Sequence, residues 1–304
     1  MPDAEMIAVA CSEGINIYCP RAGRFSFFNS PYFPHRNYAG VDIYPNLKFG
    51  ESAPSPVSGE VVTIREVNYF EDRGFEHSKV DYLIILRSLE NEERFIKILH
   101  VKPTVNVGDK VLVGEKLGSL IRSGFFDFWT DPHMHVEVRK PNDPIRARGG
   151  CRVKRLLSVS EACGNALNQG RMEGVVLESR REYSLIDLSC DLKYGIPVNV
   201  GERVGLIDGG IPHYGFFGVH INSTPKLGEE VKLLGETIGS IKSIFNGMCL
   251  AEAHNVKFGL NGRLIRLSLY LFPSKPIVKV IPEKPGEISL EKNTWVKLSV
   301  RRNV

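Results

Sequence analysis

The chain has 304 residues, of which 42% are hydrophobic and 24% charged, and a formal net charge of +4. That length accommodates two domains of ordinary size, and the composition is that of a folded globular protein rather than a disordered or fibrous one. The charge is too small to argue for a nucleic-acid partner, and no apolar run approaches a membrane span, so neither nucleic acid nor membrane is an expected partner.

The opening MPDAEMIAVACSEGINIYCP holds one short apolar stretch, Met6 to Cys11, with no basic region before it. It is too short for a secretory signal, and a cytoplasmic location is expected. Cys11, Cys19, Cys151, Cys163, Cys190 and Cys249 form no CxxC pair, which favours free thiols over a disulfide framework or a thiolate zinc site. Next come short apolar runs punctuated by Gly and Pro: GEVVTIREV, VDYLIILRSL, ERFIKILHV, DKVLVGEKLGSLI and HMHVEVRK. This is the pattern of antiparallel strands. Arg146, Arg148, Arg152, Lys154 and Arg155 read as a solvated basic connection. Ser158 to Gly170 follows as a short helical linker, with Ser158 or Ser160 as N-cap and Gly170 at the end. Two domains are therefore expected, 1–150 and 151–304.

The two halves resemble one another. RNYAGVDIYPNLKFG (Arg36 to Gly50) aligns without a gap on REYSLIDLSCDLKYG (Arg181 to Gly195), and HVKPTVNVGDKV (His100 to Val111) on HINSTPKLGEEV (His220 to Val231). GEKLGSL and GETIGSI follow after one inserted residue, and His133 and His254 fall at corresponding places beyond them. The chain reads as a tandem duplication whose first copy carries an insertion near Asn68 to Tyr82.

The tripeptide His133-Met134-His135 carries the chemistry. On a strand, side chains alternate with period two, so both imidazoles leave the same face. One can bind a metal while the other stands beside the metal-bound water or the substrate. Taken alone, two ordinary strand histidines are the alternative. Upstream stand Asp42 in AGVDIYP, the run SPVSGEVV, and His100 ahead of GDKVLVGEKLGSL. This order, closed by PHMHVEV, resembles the LytM/lysostaphin-type zinc endopeptidases from about Pro34 to Arg139.

The resemblance implies an all-β fold, here a tandem pair of barrel-sandwich-like antiparallel sheet domains. It implies Asp42 and His135 as Zn2+ ligands, and His100 and His133 as unbound catalytic histidines that activate water and stabilise the tetrahedral intermediate. The family's first ligand is a histidine four residues before the Asp, in HxGxD, and here that position is Tyr38. His35, seven residues before Asp42, is the candidate metal ligand in its place; a structural tyrosine at Tyr38 and Tyr183 is the other reading. The implied function is zinc-dependent, endopeptidase-like hydrolysis of a peptide or protein substrate. The family's usual substrates are glycine-rich or cross-linking peptides of bacterial walls. The alternative is a non-catalytic binding or regulatory protein on the same fold. The second copy keeps Asp187, His220 and His254 but has Val256 in the place of His135 and Arg180 in that of His35, so no zinc is expected there.

Other residues carry less. His77 reads as an exposed hairpin tip and His213 as a loop residue. Phe125, Phe126, Phe128 and Trp129, just before the HMH strand, either pack over the sheet end or wall a substrate groove. GDKVLVGEKLGSL also resembles the later hairpin of lipoyl- and biotin-carrier domains, but no lysine-bearing turn of that kind accompanies it.

Overall fold

The period-two alternation becomes strand almost everywhere. The computed structural model describes residues 5–159, 172–188 and 192–302, and within them are twenty-five strands and one four-residue helical turn, Phe33–Arg36. No helix among these residues is long and apolar enough to cross a membrane. The expected helical linker lies outside the described residues beyond Val159. Cys11, Cys19, Cys151 and Cys249 are free thiols. The fold is all-β, and it divides into two units: Met1–Phe25 with Tyr32–Leu156, and Ser26–Pro31 with Leu157–Val304.

In the first unit a seven-stranded sheet runs in the order Lys110–Val111, Gly59–Asn68, Val80–Ser88, Phe95–Leu99, Met134–Arg139, Val41–Tyr44, Arg24–Ser26. All six residues of Met134–Arg139 are buried. Alternation gives this strand two different faces. Met134, Val136 and Val138 are fully buried in the hydrophobic core, each stabilising the fold by about 1.5–3 kcal/mol. The opposite face carries His135, Glu137 and Arg139, which burial obliges to find partners. Register supplies them: His135 stands opposite Asp42 on one side and Leu99 on the other, and Glu137 opposite Lys97. Two smaller sheets complete the unit. One joins Ser52–Pro54, Lys116–Leu120 and Val101–Pro103; the other sets Met6–Ser12 between Lys154–Arg155 and Ile15–Pro20.

The pairings of the second unit close on themselves. Ile196–Val200, Glu230–Leu233, Glu236–Phe245, Met248–Ala253, Phe216–His220 and Arg203–Ile211 form a six-stranded barrel, because the last of these also pairs with the first. Closure leaves this sheet without an open edge. A second circuit runs through Met172–Ser179, Ser184–Leu188, Ile277–Ile281, Arg263–Leu269, Val256–Leu260 and Trp295–Arg302. Ser26–Pro31 joins this unit through Asp208, whose carboxylate accepts the Ser26 hydroxyl and, at 2.7 Å, the Phe27 N–H. Gly218 is required here, since a Cβ would lie 2.0 Å from the Phe28 ring.

The linear match between the halves does not carry over into register. Asp42 faces His135, whereas Asp187 faces Val175 and Ile277, and Val256 faces Arg302. Cys249 faces Val219, the residue before His220, much as His135 faces Leu99, the residue before His100. The reason is local. After GETIGSI the second half turns directly into the Phe245–Met248 hairpin, while after GEKLGSL the first half runs through a loop from Ile121 to His133.

Candidate metal centre

The turn Phe33–Arg36 begins with proline at its first positions, and Asn37 and Ala39 donate their N–H groups back to it, Ala39 to the Pro34 carbonyl at 2.8 Å. Tyr38 follows at φ 58°, the left-handed conformation that ends such a turn. Together these bring His35 inward to 1% exposure. Its Nε2 lies 3.1 Å from His135 Nδ1 and 3.3 Å from Asp42 Oδ1, and His135 Nδ1 lies 2.8 Å from the same oxygen. Of the two readings of position 38, this geometry favours His35 as the third member of the cluster. Tyr38 is buried and its carbonyl accepts the Val153 N–H at 2.8 Å. Gly40 makes the approach possible: a Cβ there would stand 2.7 Å from His135 Cε1 and 2.9 Å from Pro34 Cβ.

These three residues are the one group of His, Cys, Asp and Glu among the described residues that could hold a metal ion. The donor set fits zinc. Ligand atoms about 2.0–2.1 Å from a tetrahedral zinc stand about 3.3 Å apart, close to the separations here. Protonation fits as well. Glu137 is ion-paired with buried Lys97 and, at 2.8 Å, with Arg139, so its carboxylate only accepts hydrogen bonds. His135 Nε2, 3.2 Å away, must then carry a proton and donate it, so Nδ1, which faces Asp42 and His35, is the nitrogen left to take a metal. A carboxylate fixing the tautomer of a metal-binding imidazole is a recurring outer-shell arrangement.

Electrostatics point the same way. Burial would raise the Asp42 pKa, but the charges of His35 and His133 and hydrogen bonds from His135 and His35 hold it well below the usual carboxylate range. Burial opposes charge on His135, yet hydrogen bonds to Asp42 and Glu137 lift it to about 9. Glu137 is held at about 2 against its burial by His135 and Lys97. Burial lowers Lys97 although Glu137 opposes the shift. In the metal-free chain a proton therefore occupies the gap that a cation would take, and binding a metal releases it.

His133 and His100 stand beside the cluster. His133 Nδ1 donates to the Asp131 carbonyl at 3.0 Å, so Nε2, 3.9 Å from Asp42 Oδ2, is its lone-pair nitrogen. Asp131 is itself ion-paired with buried Arg24. The His100 ring lies 5.1 Å from that of His133, and its Nδ1 is 2.6 Å from Asp81 Oδ2. Phe126 stacks on His133 at 4.8 Å and meets His100 edge-on at 4.5 Å. Of the aromatic run, this residue is buried against both histidines. His100, His133 and His135 keep 8, 6 and 6% of their surface against 1% for His35 and Asp42, so solvent meets the cluster at those three rings.

All five expected site residues thus come together. Sequence reasoning missed Asp81, Ser123, Lys97 and the Arg24–Asp131 pair. Lys97 left a trace, a lysine inside the apolar run FIKIL, while Asp81, at the start of the strand Val80–Ser88, left none. His77 is half-buried between the Tyr69 and Phe75 rings rather than exposed at a tip, because its ring has apolar neighbours on both sides. His213 does lie in a turn, where burial first, and then Lys279 and Arg266, push its pKa down to about 3.

Comparison with known proteins gives three findings. A family model described as the N-terminal domain of a domain of unknown function, DUF8155, matches residues 16–155, under half of the chain. No curated protein sequence matches. Among solved structures, the antimicrobial peptidase lysostaphin from Staphylococcus simulans is similar over 90% of this chain and 94% of its own, at 13% identity and a TM-score of 0.29. An identity and a TM-score that low carry no inference about chemistry.

Proposed function

We propose that the first unit is a zinc-dependent, endopeptidase-like hydrolase, with His35, Asp42 and His135 holding the ion. The observation that carries this is the convergence of His35 Nε2, Asp42 Oδ1 and His135 Nδ1 within 3.3 Å of one another. A bound Zn2+ would polarise the scissile carbonyl and bring the pKa of its water towards neutrality. His133 offers the Nε2 lone pair as a base for the attacking water, its ring held by the Asp131 carbonyl. His100, the nearer neighbour of Phe126, would stabilise the oxyanion when its Nε2 carries a proton, and the proton that His133 takes from the water would pass to the leaving amine. A peptide as substrate rests on the motif order between Pro34 and Arg139, which resembles that of the LytM/lysostaphin-type enzymes.

Metal analysis of the purified chain, followed by hydrolysis assays on glycine-rich and cross-linked peptides, tests the proposal. About one zinc per chain is expected, lost in His135→Ala and Asp42→Ala together with hydrolysis. A metal-free protein whose melting temperature does not move on adding zinc would refute it. The near-complete burial of the cluster beneath Phe126 favours a second reading, a zinc-holding binding module without turnover. Stoichiometric zinc with no cleavage of any peptide is the outcome that selects it.

A further inference from the structure

We infer that Asp81, on the strand Val80–Ser88, is the positioning residue that sets the tautomer of His100. The inference rests on the peptidase reading for its consequence in catalysis; its geometry stands without it.

Asp81 is 1% exposed, and four donors converge on its carboxylate. Oδ1 accepts the backbone N–H of Tyr82 at 2.7 Å and that of His100 at 3.0 Å. Oδ2 faces His100 Nδ1 and the Ser123 hydroxyl, each at 2.6 Å, and Ser123 is fully buried. A carboxylate has about four lone-pair positions, and here all four are taken up. A protonated acid could not accept four bonds, so Asp81 is ionised, and its pKa is lowered despite burial chiefly by His100. His100 Nδ1 must therefore carry the proton, and the lone pair lies on Nε2, at the other edge of the ring.

The backbone is held by the same group. His100 sits at φ 72°, a left-handed conformation unfavourable for a residue with a side chain, and the bond from its N–H to Asp81 fixes it there. Ser123 extends the link to the aromatic loop: Ser78 and Ser123 form a β-bridge, and Ser78 donates its N–H to the Arg122 carbonyl at 2.8 Å. One carboxylate thus connects the strand Val80–Ser88, His100 and the loop bearing Phe126.

The second unit shows the opposite arrangement. There Asp208 Oδ2 lies 3.2 Å from His220 Nε2, so the carboxylate engages the nitrogen that Asp81 leaves open in His100. The two histidines align in sequence, yet their carboxylates take different edges of the ring. Asp81 stands two residues before Leu83, which faces Leu99, and Gly205 stands two before Ile207, which faces Val219, so the second half carries a glycine at the level of this carboxylate.

The test is Asp81→Asn in the full-length chain, read in two ways. Nitrogen-15 NMR of histidine-labelled, metal-free protein reports the tautomer of His100. The wild type is expected to be protonated at Nδ1. In the variant, the amide NH2 in place of Oδ2 should drive the proton to Nε2. With zinc bound, kcat should fall by about 10²–10⁴-fold, as for loss of an acid–base group, with KM and zinc content unchanged and partial recovery in Asp81→Glu. Wild-type His100 protonated at Nε2, or a variant that keeps both tautomer and kcat, overturns the inference. If Asp81→Asn does not fold, Ser123→Ala removes one of the four bonds: a drop in kcat of about three- to tenfold at constant KM supports the relay, and an unchanged kcat overturns it. A chain without peptidase activity that shows the wild-type tautomer and its switch in Asp81→Asn would sink the peptidase reading and leave the positioning role intact.

Discussion

Glu137→Gln tests the buried charges behind the proposed metal ligands. In the native chain this carboxylate, 0% exposed, takes Lys97 and His135 on one oxygen and Arg139 on the other. The substitution keeps shape and removes charge. Exposed ion pairs are worth at most about 1 kcal/mol, but removing one partner of a buried pair costs about 3–5 kcal/mol, because the remaining charge stays desolvated. The lower end applies here, since other acceptors persist. Arg139 retains Asp143 and the carbonyls of Asp143 and Arg148, and Lys97 retains the Arg146 carbonyl at 3.2 Å. A loss of about 3 kcal/mol in a unit of this size lowers its melting temperature by about 6–12 °C. The amide can also donate to His135 Nε2 and reverse its tautomer, so zinc affinity should fall about 10–100-fold. Thermal unfolding with and without zinc, together with a zinc titration, measures both effects. Adding Lys97→Met to Glu137→Gln removes the stranded ammonium and should recover part of the stability without recovering zinc affinity. A single variant that melts within a degree of wild type and binds zinc equally well would refute the reasoning.

Three further outcomes follow from the same geometry. His35→Ala should lose zinc in metal analysis, whereas Tyr38→Phe should retain it; the reverse result would restore the ligand position to Tyr38. Gly40→Ala should weaken zinc binding in an equilibrium titration more than it lowers secondary structure by circular dichroism, because the added Cβ meets His135 Cε1 at 2.7 Å, and unchanged affinity would contradict that contact. The metal-free chain should lose stability as pH rises from 6.5 through about 9: His135, raised to about 9, contributes up to about 3 kcal/mol that is fully present below 6.5 and disappears as it deprotonates. Denaturant unfolding at pH 6, 8 and 10 would show this as a falling midpoint, and a flat profile would count against it.

The strands were legible because their signal is local. Apolar alternation, glycine and proline breaks and the HxH tripeptide each act within a few residues. His35 was visible only as a candidate, since its place depends on a proline-started turn and on Tyr38 at φ 58°. Asp81 was not legible at all: it reaches His100 across 19 positions of sequence, from the second residue of a strand that otherwise reads as an ordinary apolar run. Nor does the sequence disclose where the second half departs from the first. GETIGSI and GEKLGSL look alike, yet one enters a tight hairpin and the other a long loop, and that choice decides which residues face the histidine.

Barrel closure explains why the aligned histidines diverge. In the second unit Phe216–His220 lies between Arg203–Ile211 and Met248–Ala253, and the circuit continues without an edge. His220 is 0% exposed, flanked by the rings of Phe27 and Phe28 and bonded to Asp208. A closed ring of strands leaves its interior to side-chain packing. In the first unit the strand bearing His135 pairs on its other side with Val41–Tyr44, so Asp42 stands next to His135 and the turn carrying His35 follows directly from that pairing. The strand next to the aligned histidine thus pairs with Glu236–Phe245 and closes a ring in the second unit, where it carries Cys249, and pairs with the carboxylate-bearing strand Val41–Tyr44 in the first, where it carries His135.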